Sequence, residues 1–227
     1  MDPAVRPRVL FVYYTFTKQA LKIADDMSVV FGERGWEVQH AAIEFNDARY
    51  SEPFSRFPLR HRYLDILRML PAQLRRATGE IRIPAEVEDG PYDLVCIGSP
   101  TWWLTTCMPI RSFLESDTAA RLLPGQRVAS FVVCRRYWKN NLKTVQRLAK
   151  ANGAECVDAA HFVFAGGQVK SLLSLISYLG TGEDRGRYLG VKIPPSNLQP
   201  HDDDAARAFA ARLADHAPAL VHTSRVM

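Results

Sequence analysis

The chain has 227 residues, 47% of them hydrophobic and 23% charged, which is ordinary globular composition with enough apolar material for a core. No apolar run reaches the roughly 18 residues that cross a bilayer, and Met1 to Arg8 has no signal-peptide pattern, so a cytoplasmic protein is expected. The net charge of +5 favours phosphates, acidic partners or anionic lipid headgroups over nucleic acid, for which no binding motif is present.

In chain order, Arg8 to Tyr13 reads as a buried strand. Lys18 to Arg34 follows as a helix, with Leu21, Ala24, Met27, Val30 and Phe31 on one face and Gly32 and Gly35 at its end. Trp36 to Ile43 is a second strand. The segment Arg56 to Thr78 is arginine-rich and partly amphipathic, and Pro71 is expected to break it. Tyr92 to Gly98 is a third strand, with a helix from about Met108 to Glu115. Arg127 to Cys134 is a fourth strand, followed by a helix from about Asn141 to Asn152. Glu155 to Phe164 supplies a fifth strand. An apolar helical stretch, Val169 to Leu179, a turn-rich segment and a last helix from about Asp203 to His216 complete the chain. Near-continuous apolar strands alternating with helices indicate an α/β chain, a parallel sheet covered on both faces. No linker divides it, so residues 1–227 are expected to form one domain.

Two strand-to-helix loops carry the chemistry. Tyr14-Thr15-Phe16-Thr17-Lys18-Gln19-Ala20 gathers hydroxyl and amide groups where a helix begins, and a helix N-terminus can hold a phosphate. The plainer alternative is that Thr17 only caps the helix. Gly98-Ser99-Pro100-Thr101-Trp102-Trp103 places two tryptophans where a strand ends, a wall against which a flat apolar ring could pack. One of those rings is expected to plug into the core instead.

These loops resemble the flavin-binding loops of flavodoxin-like oxidoreductases. The first resembles the phosphate loop S/T-x-T-G-x-T, and Gly98 to Leu114, with Pro109 and Phe113-Leu114, resembles the second flavin loop. The resemblance covers about Arg8 to Gly153. It implies a doubly wound five-stranded sheet of order 2-1-3-4-5 with FMN at the switch point, here with a basic helical insertion and a C-terminal extension. Carried over, Thr15, Phe16, Thr17, Lys18, Gln19 and Ala20 surround the FMN phosphate, and Pro100, Thr101, Trp102 and Trp103 line the ring system. Two positions depart from the pattern. Lys18 replaces the usual glycine, and Ala20 the usual final hydroxyl residue. A positive φ at position 18 would strain a lysine; alternatively, its ammonium replaces a lost hydroxyl contact.

The third loop, Cys134 to Asn141, offers Cys134 and Tyr137 to the flavin and Arg135, Arg136 and Trp138 to an anionic substrate. A solvated basic loop with an aromatic anchor is the alternative. Phe164-Ala165-Gly166-Gly167 and Gly180-Thr181-Gly182-Glu183-Asp184 loosely resemble menaquinone-linked protoporphyrinogen dehydrogenases, which implies a lipophilic quinone or another flat apolar acceptor.

The leading expectation is therefore an FMN-dependent oxidoreductase that passes electrons from NAD(P)H to a quinone-like acceptor, with the flavin carrying the chemistry and no side-chain acid or base. An electron carrier without its own substrate site, or an interaction module that has lost FMN, are the alternatives. The arginines of residues 56–78 interleave with Phe57, Leu59, Tyr63, Leu64, Ile66, Leu67, Met69 and Leu70, a pattern open to an anionic membrane surface or to a helix covering the sheet. Homo-oligomerisation is left open. No metal is expected: His201-Asp202-Asp203-Asp204 reads as a helix N-terminus, and His161 as a core histidine.

Overall fold

The computed structural model describes residues 6–216, and the side chains of all of these except Arg62, Tyr63, Ile66 and Gln168. Five parallel strands form the central sheet: β1 (Arg8–Tyr13), β2 (Glu37–Ala42), β3 (Leu94–Trp102), β4 (Arg127–Cys134) and β5 (Glu155–Val163). They are ordered β2-β1-β3-β4-β5. Val9 pairs with Val38 on one side and Leu94 on the other, which fixes β1 between β2 and β3. A short hairpin partner, Thr105–Thr106, folds back antiparallel on the end of β3.

Alternation along β1 divides the core. Val9 and Phe11 face one side, where they meet Ile23, Met27 and Phe31 of helix α1 (Gln19–Glu33). Phe209 and Leu213 of the last helix join the same cluster. Leu10 and Val12 face the other side, against Ile110 and Phe113 of α3 (Met108–Leu114) and Val145 and Leu148 of α5 (Trp138–Ala151). A period of two in a strand buried on both faces produces this split directly from RVLFVY.

Between β2 and β3 an insertion carries α2 (Arg62–Leu74). Pro71 does not break it. The exposed ring sits inside the helix, and its carbonyl still accepts the Arg75 N–H at 3.1 Å. The hydrogen bond that proline removes is on the solvent side, and the helix ends within a turn. The side chains of Tyr63 and Ile66 lie outside the described residues. Helix α4 (Asp117–Leu122) follows α3 and is capped by Ser116. Helix α5 begins at Trp138, earlier than its apolar pattern suggests, because Tyr137 turns the chain in a left-handed conformation. After β5 come α6 (Gln168–Thr181) and α7 (Pro200–Asp215). The acidic run opens α7: the Asp202 carboxylate accepts the Gln199 N–H at 2.9 Å in a capping box, and Asp203 pairs with Lys22. Among the described residues no helix is long and apolar enough to cross a membrane.

Candidate functional site

Parallel pairing brings the loops leaving β1, β3 and β4 to one edge of the sheet. Each of the three holds a non-glycine residue in the left-handed region: Lys18 at φ 59°, Trp103 at φ 56° and Tyr137 at φ 62°. Such conformations cost a side-chain-bearing residue energy and persist where the surroundings dictate them. Position 18 thus has the positive φ for which the resembling loops use glycine.

The first loop leaves donors unpaired. Lys18 caps α1 without any side-chain hydrogen bond, so the N–H groups of Gln19, Ala20 and Leu21 have no intrahelical acceptor. Thr15 Oγ1 is buried and has no hydrogen-bond partner within the protein. Ser130 and Ser177 are likewise unpaired within the core, but only the Thr15 hydroxyl lies beside an uncapped helix N-terminus. A hydroxyl, a helix N-terminus and an exposed lysine together fit a phosphate. The side chain of Gln19 is used elsewhere. Its Nε2 donates to Asn197 Oδ1 at 3.0 Å and its Oε1 accepts the Leu198 N–H at 2.9 Å, which clasps the C-terminal segment to α1. Only its backbone is left for an anion. Ala20 is buried in the first turn, and Thr17 is half-buried beside it.

The two tryptophans separate. Trp102 stacks on Phe54 of the insertion, with centroids 4.8 Å apart and planes at 21°, and meets Tyr14 and Phe45 edge-on. That face is filled by Phe54, and Trp102, half-buried like Trp103, packs at the edge of the aromatic core. Trp103 remains half-buried at the rim. Phe16 packs edge-on against both Phe54 and Phe57, and Phe57 against Tyr178 of α6. The insertion therefore flanks the first loop with aromatic rings.

The third loop is used differently from its reading in the sequence. Arg135 is not presented to a substrate. Its guanidinium donates to Ser171 O at 2.9 Å and Ser196 O at 3.2 Å and lies over the Phe164 ring. Burial pulls its pKa down to about 10, only partly countered by Asp184. Trp138 stacks on His161 at 3.8 Å, and His161 is exposed, not a core histidine. Cys134 is sealed: burial pushes its thiol up to about 12, against hydrogen bonds from Thr101 and the Trp138 backbone. Arg136 and Tyr137 are exposed and face the loop edge.

Two residues that sequence reasoning passed over shape the second loop. Asn141, wholly buried, donates to Ser99 O at 3.1 Å and Thr101 Oγ1 at 2.9 Å and accepts from Thr106 Oγ1 at 2.8 Å. Gln73 of α2 reaches the carbonyl of Thr106 from the other side. An asparagine in the first turn of a helix carries a weak signal; the distant Gln73 carries none.

The order 2-1-3-4-5, with helices on both faces and loops meeting where β1 and β3 diverge, is the flavodoxin-like fold. A flavoprotein from Lactobacillus acidophilus NCFM, solved in complex with FMN, is similar over 68% of this chain and 93% of its own, with TM-score 0.50 and 20% identity. A Bacteroides eggerthii chain assigned as a flavoprotein covers 92% of this chain and 99% of its own, with TM-score 0.50 and 14% identity. Oxidised flavodoxin 1 from Bacillus cereus gives TM-score 0.48 at 13% identity, over 92% of this chain and 98% of its own. No protein-family model matches the chain, and no curated protein matches it.

Proposed function

We propose that this chain is a cytoplasmic FMN-dependent oxidoreductase that passes electrons from NAD(P)H to a quinone-like acceptor. The observation that supports it most is the unpaired, buried Thr15 hydroxyl beside the uncapped N-terminus of α1. FMN, when bound, supplies reversible hydride and single-electron transfer. Thr15, Thr17 and the N–H groups of Gln19 to Leu21 hold its phosphate, and the Lys18 ammonium adds positive charge at the rim. Backbone groups of Pro100 to Trp103 take the polar edge of the ring, with Trp103 and Tyr137 as its aromatic walls. Exposed Arg136 attracts the phosphates of a dinucleotide. The buried thiols of Cys96, Cys107 and Cys134 suit a reducing compartment.

Titration with FMN, read by absorbance and flavin fluorescence, tests the reading. Saturable binding is expected, with Thr15→Val weakening it about tenfold, because a hydrogen bond to a charged group contributes roughly 1.5 kcal/mol. The variant keeps the side-chain shape and removes an unpaired buried hydroxyl, so unliganded stability is expected to hold or rise. Absence of saturable binding removes the cofactor. A full flavin load without NAD(P)H oxidation in the presence of a quinone removes the enzyme and leaves a carrier.

A further inference from the structure

Helix α2 buries Met69 and Ala72 in a small core cluster with Met108, and two polar residues face inward beside them. Asp65 and Gln73 are buried, while Leu64, Leu67 and Leu74 stand 58%, 57% and 62% exposed. The inward groups are satisfied: Asp65 accepts the His61 N–H at 3.1 Å, and Gln73 bonds the backbone of Thr106. The outward leucines have no such account. With exposed Pro71 they recur at i, i+3, i+7 and i+10, within about 80° of one face at the helical 100° per residue. Arg68 and Arg75 follow Leu67 and Leu74 along the chain, and both are exposed at the side of this stripe. Arg60 and Arg76 are exposed at the two ends of the helix. The helix's single carboxylate is the buried Asp65, so its outer face carries no negative charge.

An apolar stripe bordered by arginines selects its partner. A second copy of the chain, docked stripe to stripe, would set like charges against each other. A neutral apolar surface would leave the arginines without counter-charges. An anionic bilayer takes both, the leucines among acyl chains and the guanidinium groups at headgroup phosphates. We infer that the outer face of α2 is a peripheral docking face for anionic lipid surfaces. The inference goes beyond the redox reading and does not rest on it, because it uses only residues of the insertion.

The test is flotation of the full-length protein with vesicles of phosphatidylcholine and phosphatidylglycerol in equal parts, beside pure phosphatidylcholine vesicles, at low and high salt. Binding to the anionic vesicles alone, lost at high salt, is expected. Arg68→Gln and Arg75→Gln are each expected to lower partitioning about fivefold, the equivalent of roughly 1 kcal/mol per arginine near a charged surface. The double variant Leu67→Gln, Leu74→Gln is expected to lower it at least tenfold with an unchanged thermal melt, since both side chains already face water. No binding to anionic vesicles overturns the inference, as does binding that survives the double leucine variant. A dimer in sedimentation that the leucine variant dissolves reassigns the face to a second copy. Binding of a short DNA duplex that the same variants abolish reassigns it to nucleic acid.

Discussion

Lys18 tests whether the first loop is shaped for strain or for charge. Its φ of 59° is one that a lysine adopts at a cost of roughly 1–2 kcal/mol, and its ammonium is exposed at the N-terminus of α1. The two effects oppose each other in Lys18→Gly. Glycine relieves the backbone, so the unliganded protein is expected to gain about 1 kcal/mol, or about 2–4 °C in thermal melting for a chain of this size. Removing the charge is expected to weaken FMN binding about threefold, the scale of a surface charge at a helix end. A loss of stability would show that the left-handed turn is not what the lysine occupies. His40, on β2, sets a pH dependence. Its ring stacks on Phe11 at 5.2 Å and sits between Ser28 Oγ at 2.8 Å and Tyr13 OH at 3.3 Å. Burial holds its pKa below the usual 6.5, only partly offset by Asp25. The folded chain therefore binds this proton less readily than the unfolded chain does. The contribution to stability is complete above 6.5 and is lost as pH falls below it. Melting temperature is expected to drop on acidification through that range, and His40→Gln to flatten this part of the slope.

At the scale of elements, β3 and β4 meet through a missing side chain. A Cβ on Gly98 would overlap the ring carbons of Phe131, a fully buried residue on the adjacent strand. The phenyl ring occupies the space that glycine vacates, so Gly98→Ala is expected to destabilise by about 1–3 kcal/mol in chemical denaturation, through overpacking. Phe131→Leu in the same chain is expected to recover part of the loss; strict additivity of the two costs would show that they do not share the space. The strands themselves were legible because β1, β3 and β4 are short apolar runs rich in branched and aromatic residues, and burial on both faces demands that composition. The turn of residues 14–18 was legible because it sits where a strand pattern gives way to a helix pattern. What was not legible is how polar side chains are spent. Gln19 and Arg135 read as ligands from their positions in loops, yet both are struts to segments about 178 and 61 residues away in sequence. Phe54, which takes the face of Trp102, comes from an insertion whose docking no local pattern encodes. Pro71 misled for a local reason: a proline's penalty depends on whether the freed carbonyl is buried, which periodicity does not report.

For the whole molecule, the C-terminal extension is held by two different kinds of bond, and they fail differently. Helix α7 is apolar attachment: Phe209, Ala210 and Leu213 are part of the same core cluster as Phe11 and Phe31, and Lys22–Asp203 and Arg34–Asp215 add surface pairs of small worth. Helix α6 and the following segment add polar links to smaller apolar contacts, Tyr178 on Phe57 and Leu198 in the core. The Arg135 guanidinium joins β4 to Ser171 and Ser196, and Ser174 and Ser196 bond each other at 2.6 Å. Phe209→Ala removes a fully buried ring from the shared core and is expected to cost roughly 3–5 kcal/mol, lowering hydrogen-exchange protection of β1 and α7 together. Arg135→Met replaces the guanidinium with a shorter apolar side chain and removes its bonds to Ser171 and to the Ser196 carbonyl, at about 1–3 kcal/mol. Its expected signature is local: faster exchange across residues 168–199, with β1 and β3 still protected. Since the third loop holds Arg135, the same variant is expected to loosen Tyr137 at the site edge without touching Thr15, so FMN phosphate affinity changes less than the flavin's fluorescence quenching. Uniform loss of protection across the sheet in Arg135→Met would show that α6 and the sheet unfold as one unit, and that the polar links are as much a part of the core as the apolar ones.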